Sequence, residues 1–325
     1  MDKNWKALSV LIVGCGSIAK RHARVLTSLQ VEDIRACDPN AKARQNMREQ
    51  TPNAKLFDSY EQGLKEYPDT VFICTPPQLH IPMAMLALEH HCHVLIEKPL
   101  SDSTQGIDAL KKAAQEKNKK VMVALCFRYH EGMVKAKQYL KEGGLGRLIF
   151  IRTVMGEHLP EIRPDYDQLA ITRTIGVFDL IHDLDLGLWF AQLPVKSVKS
   201  LYGTYSDINI EAPDLAELLI DFDGPCALSV HLDYFQRPRK RYIELICTEG
   251  LITIESAAWD HYTVSVYNAK QKSWRHETCP TTRDDMFRAE DSEFLQAVAD
   301  DLPIVCNIDE GFRSIEVLSQ ISCFK

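Results

Sequence analysis

Leu8-Ser-Val-Leu-Ile-Val-Gly14-Cys-Gly16-Ser-Ile-Ala19 decides how the first half of this chain is read. Leu8 to Val13 is an apolar run of strand length that meets two glycines and passes into a helical pattern through Val25, Leu26 and Leu29. Strand, glycine turn and helix in that order match the dinucleotide fingerprint with alanine in its third place. Gly14 permits the tight turn, Gly16 lets the backbone approach a pyrophosphate, and Ala19 allows helix and strand to pack closely. Ser17 and Ile18 open the helix, whose first N–H groups face phosphate. A second strand, Ile34 to Cys37, ends in Asp38, 22 residues after Gly16, where an acid can hold a ribose 2′-hydroxyl and repel a 2′-phosphate. NAD is the expected cofactor, while Lys42 and Arg44 keep NADP open. Taken alone, Asp38 before Pro39 is also an ordinary turn opening.

The alternation continues. Val71 to Cys74 reads as a strand closed by Thr75-Pro76-Pro77-Gln78-Leu79-His80, with a helix from about Pro82 to Glu89. Thr75 and Pro76 then fall at a strand's carboxyl end, beside adenosine or pyrophosphate. His93-Val-Leu-Ile-Glu-Lys-Pro99 is the next strand, and Pro99 stops its ladder just after Glu97-Lys98. A lysine is thereby delivered to the edge of a sheet where ligands sit. A helix around Thr104 to Lys117 and a strand from Val121 to Phe127 complete the series, so residues 1–125 are read as one nucleotide domain. His90-His91-Cys92-His93 has the composition of a metal cluster, but its span is too short for three well-disposed ligands, and no metal site is expected.

Residues 126–325 read as a second domain. Ile149 to Met155, Val198 to Tyr205, Leu215 to Phe222, Cys226 to Tyr234, Tyr242 to Thr248, Leu251 to Glu255 and Thr263 to Tyr267 have strand patterns. Short turns such as Asp223-Gly224 and Glu249-Gly250 make the sheet largely antiparallel. Helical patterns at Met286 to Ala299 and Asp309 to Ile321 end the chain. The expected fold is α/β: a doubly wound parallel Rossmann sheet followed by an α+β domain on an open, mostly antiparallel sheet. Leu215-Ala-Glu-Leu-Leu-Ile-Asp-Phe222 is apolar on both alternating sets, which predicts a homodimer or homotetramer formed through that sheet.

Between the first two of those strands lies Gly176-Val-Phe-Asp179-Leu-Ile-His182-Asp183-Leu-Asp185-Leu-Gly-Leu-Trp189, a helix by its Leu180, Leu184, Leu188 spacing. Asp179 and His182, three apart, can pair on one face. A carboxylate raises the basicity of an imidazole and fixes its tautomer, as a proton acceptor near neutral pH requires. A helix-start acid and a satisfied core histidine would look the same.

Composition narrows the classes. The formal charge of −7 gives no global attraction to nucleic acid or anionic membrane, and no apolar run reaches the ~20 residues of a membrane span. Ten scattered cysteines without a CxxC pair suit reduced thiols and a cytoplasmic setting.

Together, Gly14-Cys-Gly16-Ser-Ile-Ala19, Thr75-Pro-Pro-Gln-Leu-His80, Glu97-Lys98-Pro99 and the His182-Asp-Leu-Asp185 helix resemble the Gfo/Idh/MocA oxidoreductases along nearly the whole chain. The resemblance implies NAD(P)-dependent chemistry on sugars, cyclitols or sugar nucleotides, with a sheet often used for oligomerisation. It places Glu97 and His80 with the cofactor residues, and makes Lys98 the lysine between nicotinamide and substrate and His182 the acid/base. Many members carry the partner Asp four residues before this His, where this chain has Phe178; here Asp179 is three before it, and Asp183 and Asp185 are the next candidates. Gly156-Glu-His158-Leu-Pro160 and Ser229-Val-His231-Leu-Asp-Tyr234-Phe-Gln-Arg237-Pro238 look like members from bacterial nonulosonic-acid and surface-polysaccharide pathways. Arg128, His158, Tyr234 and Arg237 are then expected at the substrate, which would be anionic or nucleotide-linked. Arg237, Arg239, Lys240 and Arg241 could hold a phosphate or carboxylate, or simply form a charged sheet edge.

The resulting expectation is that His182 takes a hydroxyl proton while hydride leaves the same carbon and the Lys98 ammonium stabilises the alkoxide. Two other readings use the same fold: an NAD-dependent glycosidase, separated by the absence of net cofactor turnover, and a nucleotide-sensing regulator, which would need neither Lys98 nor His182.

Overall fold

A computed structural model describes residues 5–168 and 170–321. Two compact units divide them, the first made of the chain up to Cys126 together with Asp284–Ser319, the second mainly of Phe127–Arg283.

The first unit is built on six parallel strands: β1 (Ser9–Val13), β2 (Asp33–Cys37), β3 (Lys55–Phe57), β4 (Thr70–Ile73), β5 (His93–Glu97) and β6 (Val121–Ala124), in the order β3-β2-β1-β4-β5-β6. The direction of strand order reverses between β1 and β4, the switch point where dinucleotides bind in such sheets. Its helices are α1 (Ser17–Ser28), α2 (Ala41–Gln50), α3 (Tyr60–Leu64), α4 (His80–Glu89) and α5 (Ile107–Glu116). Because both faces of the sheet are covered, β1 and β4 are buried at every position, which explains their uninterrupted apolar reading. β3 escaped the sequence reading because three residues are too few to show a period.

The second unit contains α6 (Glu131–Glu142), β7 (Leu148–His158), α7 (Leu159–Ile162), α8 (Ala170–Thr174), α9 (His182–Ala191), β8 (Val195–Gly203), β9 (Leu215–Phe222), β10 (Ala227–Asp233), β11 (Phe235–Cys247), β12 (Gly250–Glu255), β13 (His261–Asn268) and β14 (Ser273–Pro280). The eight strands are ordered β14-β13-β12-β11-β7-β10-β9-β8, antiparallel except where β10 runs parallel to β7. β14 has no apolar alternation to betray it, since Ser273-Trp-Arg-His-Glu-Thr-Cys-Pro280 lies on an edge with mostly exposed side chains.

The closing helices α10 (Arg283–Ala299) and α11 (Ile308–Ser319) correct the expected boundary. From Asp284 to Ser319 they belong to the first unit. The Val123 N–H donates to the Cys306 carbonyl, and a Cβ on Gly311 would stand 2.6 Å from a Val123 methyl, so α11 lies directly against the edge strand β6. An edge strand with apolar faces needs such a cover, and sequence order carries no record of which sheet a terminal helix will cover.

The second correction concerns β9. Ala216, Leu218, Ile220 and Phe222 are buried, but the opposite set is Leu215, Glu217, Leu219 and Asp221, half of it charged. The outward face is mixed where the sequence reading expected it apolar.

Candidate active site

The glycine loop follows from β1. Gly14 has φ +92°, a left-handed conformation that disfavours a side chain, and a Cβ there would stand 2.8 Å from the Cys74 carbonyl oxygen. Loop and β4 end are thus in contact through bare backbone. Gly16 differs: it is exposed, caps α1 without a side-chain bond, and a Cβ on it would meet nothing within 4 Å. That open space in front of the helix N-terminus suits a pyrophosphate, with the N–H groups of exposed Ser17 and half-buried Ile18 beginning the helix behind it. Asp38 stands beside the loop. Its carboxylate accepts from the Cys15 N–H (2.9 Å) and the Asn40 N–H (2.7 Å), and Arg44 Nη1 donates to its carbonyl (2.5 Å). Asp38 therefore orders the loop. These residues fit a nicotinamide dinucleotide.

At the next strand end, Thr75 is half-buried and Pro76 exposed, open to a ligand. His80 is not. It is fully buried, with Nδ1 2.8 Å from the Pro99 carbonyl and Nε2 2.8 Å from the Thr75 carbonyl. Its imidazole ties the ends of β4 and β5 together, so its expected place at the cofactor is taken by a bracing role. Glu97 is also nearly buried; Oε2 accepts the Lys98 N–H (2.9 Å) and Oε1 lies 3.1 Å from His22 Nε2. Half-buried Lys98 follows at the carboxyl end of β5. His93 accepts the Lys120 N–H at Nδ1 (3.0 Å), and burial beside Lys119 and Lys120 pushes its pKa down to about 4. It serves the sheet as a neutral acceptor.

In the second unit the expected single helix is two pieces, a 3-10 turn over Gly176–Leu180 followed by α9. Asp179 and His182 do not share one helical face by spacing, because the winding changes between them. Asp179 is buried at the end of the 3-10 turn and accepts from Arg163 Nη1 (3.1 Å). Half-buried His182 begins α9, its ring 4.9 Å from that of Phe127. Phe127 in turn carries the Arg241 guanidinium 3.8 Å from its ring centre.

The acids C-terminal to His182 have other work. Arg241 Nη2 donates to Asp183 Oδ2 (2.8 Å), and Arg128 grips Asp185 through Nε (2.9 Å) and Nη2 (2.7 Å). All four side chains are buried. These pairs explain two acids inside an otherwise apolar helix, and they remove Asp183 and Asp185 as partners of His182. Arg128 is correspondingly withdrawn from the expected substrate set. So is Tyr234, which is 1% exposed and donates its hydroxyl to the Gly176 carbonyl (2.8 Å), bracing the 3-10 turn.

The four cations of β11 do not form one patch. Arg241 is buried on Asp183, Arg239 pairs with Glu157 (3.1 Å) over the Trp259 ring, and exposed Lys240 points to the other face of the strand. Exposed Arg237 remains, bonded to Glu161 (2.6 Å) and to the ring of His158 (2.6 Å from Nη2 to Nε2). Arg237 and His158 line a cavity of about 500 Å³ with Tyr166, Tyr205, Ser206 and Phe235. Asp207 also lines this volume and Glu161 pairs with Arg237, so an anion would have to displace Glu161, while the three aromatic rings suit a ring-bearing group.

The sequence reading missed His22, Asp291 and Glu290, all fully buried in the first unit. A signal was present: His22 shares the apolar stripe of Ala19, Ala23 and Leu26, and Glu290 and Asp291 interrupt the stripe of Met286, Phe287, Phe294 and Leu295.

A parallel sheet with its glycine loop, an acid at the end of β2 and a lysine at the end of β5 define a nicotinamide-dinucleotide oxidoreductase. Residues 8–125 match the oxidoreductase family with NAD-binding Rossmann fold, and residues 133–253 match the GFO/IDH/MocA C-terminal domain. The chain belongs to the Gfo/Idh/MocA oxidoreductases, and the activity that goes with it is NAD(P)-dependent dehydrogenation of a sugar or related carbohydrate. It is 23% identical to UDP-N-acetylglucosamine 3-dehydrogenase of Acidithiobacillus ferrooxidans over 95% of both chains. It is 25% identical to D-xylose 1-dehydrogenase [NADP(+)] of Haloarcula marismortui over 65% of this chain and 61% of that one. Among solved structures, levoglucosan dehydrogenase in complex with NADH and levoglucosan shares the fold at a TM-score of 0.84, with 17% identity over 98% of each chain. The WlbA dehydrogenase of Bordetella pertussis in complex with NADH and UDP-GlcNAcA does so at 0.80, with 20% identity over 97% and 95%.

Proposed function

We propose that this protein oxidises a hydroxyl-bearing carbon, or reduces the corresponding carbonyl carbon, of an anionic carbohydrate, a sugar nucleotide in particular, with Lys98 and His182 as its catalytic pair. The observation that carries the reading is Lys98 itself, delivered by β5 to the carboxyl edge of a dinucleotide sheet and anchored there through its backbone N–H. NAD, when bound, supplies the hydride acceptor or donor. The residues of the chain do the rest. His182 accepts the hydroxyl proton in oxidation and returns it in reduction, while the Lys98 ammonium lowers the energy of negative charge on that oxygen. Asp179 is the acid proposed to support His182. An anionic substrate is favoured by the cavity holding Arg237 and His158, and by the sugar nucleotide in the name of the relative that matches along 95% of both chains. A cytoplasmic setting suits the nine free cysteines among the described residues.

The test is turnover of NAD against a panel of UDP-sugars, myo-inositol and free hexoses, followed at the nicotinamide band. Lys98→Met and His182→Ala should each bind NAD nearly as the parent does and lose at least about a hundredfold in kcat. Full turnover in either variant refutes the assignment. We further propose that the mixed outward face of the eight-stranded sheet, where exposed Leu201, Leu219 and Trp274 stand among charges, is covered by a second copy. Light scattering that finds only a 37.0 kDa species at micromolar concentration would rule this out.

A further inference from the structure

Buried inside the first unit is a chain of three charged groups that ends at Lys98. Asp291 on α10 lies 2.9 Å (Oδ1) and 3.1 Å (Oδ2) from Nδ1 of His22 on α1. The other ring nitrogen, Nε2, lies 3.1 Å from Glu97 Oε1 at the end of β5, and Glu97 Oε2 holds the Lys98 N–H at 2.9 Å. A neutral imidazole has one N–H and could serve one carboxylate only. Both nitrogens face carboxylate oxygens, so His22 is an imidazolium donating in two directions. Burial by itself would depress its pKa, but the Asp291 charge and both carboxylate bonds outweigh that and hold it well above the ordinary value. Its walls are aromatic: Phe72 and Phe287 meet the ring edge-on at 5.4 and 5.6 Å.

The remaining charged groups set what would follow if His22 were lost. Glu290 on α10 is fully buried with neither carboxyl oxygen hydrogen-bonded among the described residues, and burial together with Asp291 and Glu97 pushes its pKa well up. Glu293 on the same helix adds to this negative field, and Arg21 on α1 lies near enough to act on Glu97. His22 is the group that bridges the two carboxylates. Without it, Glu97 would face Asp291 inside the protein with no cation between them and would have to take up a proton or turn outward, and either change loosens its hold on the Lys98 N–H.

We infer that His22 and Asp291 are positioning residues for the reaction, acting through Glu97 to fix the backbone at Lys98. The chain also joins α1, whose first turn faces the dinucleotide, to β5, which carries the lysine, so cofactor and lysine are held in one register. This inference rests on the reading of Lys98 as catalytic.

Hydrogen exchange tests the structural half without a substrate. In His22→Gln, whose amide cannot donate to both carboxylates, protection of the Lys98 amide should fall about tenfold while the β1 amides of Val10 to Ile12 keep theirs. Unchanged protection at Lys98 overturns the inference. Should His22→Gln not fold, Asp291→Asn keeps the shape of the chain, drops its terminal charge, and must give the same selective loss.

Turnover tests the functional half, with UDP-N-acetylglucosamine or whichever sugar of the panel is oxidised. His22→Gln should lower kcat about tenfold or more with the NAD dissociation constant within about twofold, and add nothing further in a Lys98→Met background. An equal loss in both backgrounds shows that His22 does not act through Lys98 and overturns the inference. Full turnover by Lys98→Met alone is a different failure, of the catalytic reading beneath it, and is visible in that single variant.

Discussion

Removing the Arg241 guanidinium should expose how much the second unit depends on one buried charge pair. Arg241 and Asp183 are 3% and 0% exposed and share one bond of 2.8 Å; Arg241 Nε and Nη1 and Asp183 Oδ1 are without a hydrogen-bond partner among the described residues. A pair so incompletely satisfied adds little net stability over apolar groups of equal size, yet stripping one member leaves the other buried with its charge uncompensated. Burial already raises the Asp183 pKa against the pull of Arg241 and Arg239. Arg241→Met should therefore cost about 3 to 5 kcal/mol, whereas Arg241→Met with Asp183→Leu should return to within about 1 kcal/mol of the parent. The assay is urea unfolding followed by tryptophan fluorescence, which reports mainly on this unit because Trp189, Trp259 and Trp274 all lie in it. A loss below about 1 kcal/mol in the single variant, or a double variant no more stable than the single, refutes the argument.

The remaining predictions concern the cofactor loop and pH. Asp38→Ala should narrow the preference for NAD over NADP and also weaken binding of both, because the carboxylate holds the Cys15 and Asn40 N–H groups; titrating both cofactors decides it, and an NADP preference in the parent would sink the assignment. His231 lies 2.8 Å from Asp233 and 2.5 Å from Glu217, and those bonds, opposed by burial, raise its pKa to about 9. A histidine raised in the folded state stabilises fully below its unfolded value near 6.5, and that contribution is lost as pH rises towards 9, so the parent should lose at most about 3 kcal/mol across this window. The His231→Gln variant should lack that slope in urea midpoints measured from pH 6 to 9; an identical slope in both proteins would show that another group titrates.

The strands up to β6, β3 apart, and the helices α1, α4 and α5 were legible in sequence because their information is local and redundant, whereas the return of α10 and α11 to the first unit was not. An apolar run, two glycines, an acid at a fixed distance and a proline that stops a strand each constrain the backbone where they stand, and they agree with one another. Lys98 was legible for the same reason: chain order alone places it at the carboxyl end of β5. The open sheet was legible through its hairpin turns, apart from β14, whose exposed edge has no period to read. Tertiary structure alone decided which polar residues are spent inside. Arg128, Tyr234, His80, Asp183 and Asp185 look like ligands or catalytic partners in sequence, and each is consumed by a buried contact from a distant segment, Arg241 being 58 residues from Asp183. His22 and Asp291, 269 residues apart, meet only because α10 returns to the first unit. Periodicity records which face of a helix is buried; which charge waits on the other side of that burial is a property of long-range packing, and no local pattern encodes it.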